Sequence, residues 1–197
     1  MNMLADEKHH IVQGEYFVSE DPRAVVSTIL GSCVAACMRD PVAGVGGMNH
    51  FLLPGEGAGQ EGLRYGAYAM ELLVNGLLQR GARRERLEAK LFGGGRLLKG
   101  LTDIGLQNAE FAERFLQDEG IAYGGGSLRG DHARRIQFWP VSGRVRQQKL
   151  VGDATAFAAE SRPRERRAAQ EDIELFDDFG AGRRPAARET GNDLELF

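Results

Sequence analysis

Cysteine is nearly absent. Cys33 and Cys37 are the two in 197 residues, four positions apart. With no second pair and no histidine close in sequence, they form neither a disulfide framework nor a zinc site. Long hydrophobic runs are missing as well. None approaches the roughly 18 residues of a membrane span, and Met1–His10 is charged and polar where a signal peptide needs an apolar stretch. The expectation is a cytoplasmic protein without membrane insertion, in a reducing compartment where a thiol stays a thiol. Charge of one sign is not in excess either. The formal net charge is −3, and residues 150–197 carry eleven acidic against seven basic side chains, leaving the first 149 near +1. Nucleic acid is therefore not an expected partner.

What is present divides the chain in two. Residues 1–148 alternate short apolar runs, glycine punctuation and two helical patterns. Gly14–Val18, Ala24–Leu30, Val34–Met38 and Val45–Leu53 read as strands, the third closed by Arg39-Asp40-Pro41. Ala67, Met70, Val74, Leu77 and Leu78 then recur at helical spacing between Arg64 and Arg80. A second helix is predicted from a cap at Asp103 to Gly120, with Leu87–Phe92 between the two as a strand. Ile121–Tyr123, Arg134–Trp139 and Val145–Gln148 complete the strands. Strands that mostly neighbour one another, with two helices, indicate an α+β fold. About 150 residues are enough to bury a core without covalent staples.

Residues 149–197 are rich in alanine, arginine and acidic side chains. Such a composition buries too little surface to offset its ordering entropy, so a largely disordered tail is predicted. It holds one repeat, Asp172-Ile173-Glu174-Leu175-Phe176 and Asp193-Leu194-Glu195-Leu196-Phe197, which reads either as paired docking motifs for an unknown partner or as chance similarity.

Chemistry concentrates near Cys33. Val34–Met38 and Val45–Leu53 are joined by a short turn, so they form a hairpin. A turn centred on Pro41-Val42 sets Cys33 across from His50, and opposed side chains on one face have Cβ atoms about 4.5–5.5 Å apart. A slip of one residue would separate them. Cys33 and Cys37 share a face if the strand is unbroken. A break at Gly31-Ser32 would leave Cys33 at an exposed entrance and Cys37 inside. Free cysteine titrates near about 8.5, and an adjacent imidazole raises its reactive fraction. Spacing alone leaves two readings open: a nucleophile with its base, or a small buried hydrophobe.

Leu30-Gly31-Ser32-Cys33-Val34-Ala35, Gly46-Gly47-Met48-Asn49-His50-Phe51-Leu52-Leu53-Pro54, Arg64-Tyr65-Gly66, Ala89-Lys90-Leu91-Phe92-Gly93-Gly94 and Ile104-Gly105-x-x-Asn108 together resemble the chemoreceptor glutamine deamidase family, CheD. The resemblance runs from about Gly14 to Val145. It implies a three-layer α-β-β sandwich, Cys33 as nucleophile and His50 as its base. The family's third catalytic position, a threonine six residues before the cysteine, falls here on Ser27, with Thr28 beside it. The implied reaction is acyl transfer to the thiol and hydrolysis to glutamate, with no metal or organic cofactor. The implied substrates are glutamines on the cytoplasmic helical region of chemoreceptors, and a CheC-type phosphatase is a further possible partner. The alternative function is a non-catalytic module that docks receptors or such a phosphatase, a reading that loss of Cys33 or His50 would have favoured.

Other features read more plainly. His9, His10 and His132 are expected in solvated segments, and Cys37 in the core. Gly93-Gly94-Gly95 and Gly124-Gly125-Gly126 lack the Lys-Ser/Thr of a phosphate loop, which leaves close backbone packing. Arg134, Arg135, Arg144 and Arg146 form either a patch for acidic surfaces or a charged, solvated edge.

Overall fold

The apolar runs on either side of Asp40-Pro41 form the hairpin that organises the molecule. In the computed structural model, which describes residues 6–54, 59–97 and 103–150, they are β4 (Val34–Asp40) and β5 (Val45–Asn49), joined by a four-residue loop. Asp40 shapes that loop. Its carboxylate accepts from the N–H groups of Val42 at 2.9 Å and Ala43 at 3.0 Å, and its second oxygen accepts from Arg83 N–H at 2.9 Å and Arg86 Nε at 2.8 Å.

The remaining strands are β1 (Glu7–His10), β2 (Tyr16–Ser19), β3 (Ala24–Leu30), β6 (Glu88–Gly93), β7 (Ala122–Leu128), β8 (Ala133–Trp139) and β9 (Arg144–Leu150). Two helices, α1 (Gly59–Leu78) and α2 (Ile104–Asp118), stand before β6 and β7. The strands make two mixed sheets, one ordered β1-β3-β8-β9 and the other β2-β5-β4-β6-β7. Pairs β1/β3 and β6/β7 are parallel and the others antiparallel.

Both helices pack on the five-stranded sheet. Met70, Leu73, Val74 and Leu77 from α1, with Phe111, Phe115 and Leu116 from α2, meet Val34, Ala36, Met38 and Leu91. Each such side chain, fully buried, contributes about 1.5–3 kcal/mol of hydrophobic stabilisation. A second core fills the space between the sheets, where Val26, Leu30, Ile136 and Phe138 face Ala35, Cys37, Met48 and Phe92. The architecture is the α-β-β sandwich expected. The predicted cap also forms, Asp103 accepting from Leu106 N–H at 2.9 Å, a contact typical of caps that contribute about 1 kcal/mol.

Several boundaries differ from the sequence reading, among them the start of α1, which lies at Gly59 and not at Arg64. The run Glu7-Lys8-His9-His10, read as solvated, is the edge strand β1; its alternation carries no apolar signal because one side of an edge strand meets water. β5 ends at Asn49, since the Asn49 side chain accepts from Ala36 N–H at 3.0 Å in place of a backbone rung. β7 continues through Gly124-Gly125-Gly126 to Leu128, with a register shift against β6. β9 runs two residues past the expected boundary at 148, and the tail with its two motifs lies outside the described residues.

Candidate active site

The hairpin register places Cys33 and His50. Cys37 pairs with Met48, Met38 with Gly47 and Val34 with Phe51. The turn therefore sits one residue later than expected, which shifts the partner positions by two. Ala35, not Cys33, lies opposite His50, and Cys33 is its diagonal neighbour. An even shift keeps the parity, so Cys33, Ala35 and Cys37 share the face that looks into the space between the sheets. Diagonal neighbours in antiparallel pairs are roughly 7–8 Å apart, within reach of longer side chains. Cys33 does not stand at an exposed entrance. It is 6% exposed and His50 is 1% exposed, because the sandwich and the chain before β2 close over them.

The hydroxyl that meets His50 belongs to Thr28, and not to Ser27. Val26 and Leu30 point into the core between the sheets, so the two-residue period of β3 brings Thr28 to that face and turns Ser27 to the other. Thr28 Oγ1 lies 2.8 Å from His50 Nδ1 and donates to the Ile11 carbonyl at 2.8 Å. A carbonyl only accepts, so the single hydroxyl hydrogen goes to Ile11, and Nδ1 must carry the proton it shares with Thr28. His50 Nε2 is left with a free lone pair, and it is a buried atom with no hydrogen-bond partner. Ser27 instead contacts His10 Nδ1 and the His9 carbonyl, each at 3.3 Å.

Burial sets the resting protonation. It pushes the Cys33 thiol up to about 12, against a smaller opposing effect of the residue's own backbone N–H. It pulls His50 down to about 4, with the charge of His10 adding to the effect. The pair at rest is a neutral thiol and a neutral imidazole. The imidazole does not raise the resting thiolate fraction, because neither charged form is solvated where it sits.

The backbone around Cys33 is held from three sides. Gly94 N–H donates to the Cys33 carbonyl at 2.8 Å, and a Cβ on Gly93, whose φ is +107°, would lie 2.1 Å from that same oxygen. The glycine run thus serves close backbone approach, as expected. Asn108, fully buried, accepts from Leu53 N–H at 2.7 Å and donates to the Ser32 carbonyl at 2.9 Å. It ties the residue before Cys33 to the segment after His50. On the third side runs a strap from Ile11 to Glu15. Gly14 N–H donates to the His50 carbonyl at 2.8 Å, and His50 N–H donates to the Glu15 carbonyl at 3.0 Å. The strap sets Gln13 Oε1 3.8 Å from Cys33 Sγ.

Sequences of known proteins now bear on this geometry. The family model described as CheD chemotactic sensory transduction matches residues 52–149. A protein of Acidiphilium cryptum is 67% identical over 153 residues, 75% of this chain and 80% of the relative. One of Caulobacter sp. is 58% identical over 195 residues, 96% of this chain and 93% of its own. One of Agrobacterium fabrum is 56% identical over 201 residues, covering all of both chains. Each carries the name "Probable chemoreceptor glutamine deamidase CheD". The chain belongs to the CheD family. Among solved structures, Neisseria meningitidis protein NMB0706 aligns at 9% identity with a TM-score of 0.40, over 59% of this chain and 53% of that one. At that distance it does not inform the site.

The match to the CheD family model begins at Leu52, just after His50, so the placement of Cys33 and His50 rests on the geometry above. Sequence reasoning singled out Cys33 and His50 as nucleophile and base. It passed over Thr28 for its neighbour and gave no role to Gln13 or Asn108. It also counted Arg134 among surface arginines, whereas this side chain is fully buried. Arg134 donates to the Ser127 Oγ at 2.9 Å and to the carbonyls of Ser127 and Arg129, and burial pulls its pKa down. Arg135, Arg144 and Arg146 do reach solvent. Cys37 is a core residue, and His132 contacts Asp131 in a turn.

Proposed function

We propose that this protein is a chemoreceptor glutamine deamidase in which Cys33 is the nucleophile and His50 its base. The observation that carries the reading is a thiol and an unpartnered, tautomerically fixed imidazole nitrogen on one buried face, in a chain whose relatives bear that activity in their names. Cys33 Sγ bonds to the carboxamide carbon of a protein glutamine as the thiol proton passes to His50 Nε2. The C–N bond then breaks as Nε2 returns the proton to the departing ammonia. Water next gives a proton to Nε2 and its oxygen to the thioester carbon, releasing glutamate and the thiol. Thr28 holds the imidazole through Nδ1–H and acts as a positioning residue, the role expected of Ser27. A neutral resting pair suits this sequence, since the proton moves only as the C–S bond forms.

The substrates in this reading are cytoplasmic helical segments of chemoreceptors. Among the described residues no helix is long and apolar enough to cross a membrane. Tyr16, Tyr65 and Tyr68 are exposed, and a Cβ on Gly14 of the strap would lie 3.7 Å from Tyr65 Oη. Aromatic side chains beside the strap supply amphipathic contact area for a partner helix. A CheC-type phosphatase, and a partner for the two Asp-apolar-Glu-Leu-Phe segments, belong to the same reading as further contacts. Incubation with receptor cytoplasmic fragments, followed by peptide mapping, tests the substrate. New glutamates at former glutamines are the expected result, and none with any receptor fragment of the source organism overturns it.

A further inference from the structure

The geometry points to Gln13 as a resident carboxamide that covers Cys33 in the free protein and must leave when a substrate carboxamide arrives. The inference rests on Cys33 being the nucleophile and deepens that reading; it does not depend on which protein supplies the glutamine.

The site is closed at rest. Cys33 is 6% exposed and His50 1%, whereas a protein glutamine has to bring its carbonyl carbon into bonding distance of Sγ. Some group must therefore move. The polar group at the thiol is the Gln13 carboxamide, whose Oε1 accepts from Sγ at 3.8 Å. Gln13 is half-buried and its neighbours Gly14 and Glu15 are exposed, so this side chain lies between the thiol and solvent.

The backbone under Gln13 is not free to open. Thr28 Oγ1 donates to Ile11 O at 2.8 Å, Glu15 N–H to Val12 O at 3.0 Å, and Val12 N–H to Glu15 Oε2 at 3.0 Å. Gly14 and Glu15 are pinned to the peptide groups of His50, and Gly14 holds φ at +87°. Moving the strap would dismantle the support of the imidazole. The Gln13 side chain is different. Its rotation breaks one contact from a weak S–H donor and moves no backbone group. The gate is a side chain on a fixed frame.

Its chemistry matches what it makes way for. A primary carboxamide presenting its oxygen to the thiol is the pairing a substrate glutamine makes as it enters. The free protein fills the place with a group of its own, which keeps water and electrophiles from the sulfur.

The test is the alkylation rate of Cys33 by chloroacetamide in the full-length free protein, with Cys37 labelling in the same sample as the fold reporter. Gln13→Ala should raise the Cys33 rate about two- to tenfold, the range that one modest hydrogen bond spans, with Cys37 still unlabelled. Gln13→Glu, the same length with a charge, should lower it. On a receptor fragment that the wild type deamidates, Gln13→Ala should lower KM or leave it unchanged, and kcat should be retained. An unchanged or lower Cys33 rate in Gln13→Ala would overturn the proposal. So would a fall in kcat at constant KM, which would make Gln13 a donor to the reacting carbonyl. Should Gln13→Ala expose Cys37, Gln13→Met, which keeps the bulk, takes its place with the same expected rise. If no receptor fragment is turned over by the wild type, the alkylation arm still decides this point and the substrate reading alone fails.

Discussion

Titrating the reactivity of Cys33 probes the electrostatics of the site most sharply. At pH 8 a thiol held at about 12 is ionised to roughly one part in 10,000, against about a quarter for an ordinary cysteine near 8.5. The deficit in thiolate is about 2,000-fold. A more basic thiolate is also a better nucleophile, and a Brønsted slope of about 0.4–0.5 returns roughly 40-fold of it. Cys33 in the free protein should therefore react about 50-fold more slowly than free cysteine at pH 8, before any steric protection. Its rate should climb close to tenfold per pH unit from pH 7 to pH 10, where an ordinary thiol levels off. Timed chloroacetamide labelling read by mass spectrometry measures both quantities. Gln13→Ala should raise the whole line without changing its slope. A plateau beginning below pH 9 would refute the reasoning, because it would mean a thiolate–imidazolium pair at rest and a site far better solvated than its burial implies.

Three further outcomes follow from particular contacts. Thr28→Val leaves His50 Nδ1–H and Ile11 O without their shared partner; it should cost about 1–3 kcal/mol of stability and lower turnover about tenfold or more, while Ser27→Ala stays within about twofold in a deamidation assay. Gly93→Ala drives a Cβ into the Cys33 carbonyl at a positive φ and should destabilise by more than about 2 kcal/mol in thermal melting. Asp40 is buried; desolvation raises its pKa, but Arg86 and the N–H groups of Ala43, Arg83 and Val42 outweigh it and hold the carboxyl at about 2. A folded value below the ordinary 3.8 stabilises the protein above that pH and is lost as pH falls toward 2. The melting temperature of Asp40→Asn should accordingly lie below wild type at pH 7 and converge with it near pH 2.

The helices were legible because Ala67, Met70, Val74 and Leu77 recur at a period that only a helix satisfies. The Cys33–His50 face was legible for a similar reason: an error of two residues in register preserves parity. The choice between Ser27 and Thr28 was not. Ala24-Val25-Val26-Ser27-Thr28-Ile29-Leu30 has no alternation, since both of its faces are covered apart from Ser27, so nothing local says which hydroxyl points inward. Arg134 misled for the opposite reason. Its charge reads as surface, while the carbonyls of Ser127 and Arg129, at the end of β7 and just after it, make burial tolerable. Gln13 gave no signal at all, because its place over the thiol depends on β1 and β2 belonging to different sheets.

Acid-quenched reaction of the protein with a receptor cytoplasmic fragment, analysed by mass spectrometry of the intact chains, tests the central claim most directly. The account predicts a covalent adduct between the fragment and Cys33, followed by a fragment carrying glutamate in place of glutamine. With Cys33→Ala both should vanish while the fold persists. Deamidation that continues in Cys33→Ala would contradict the account.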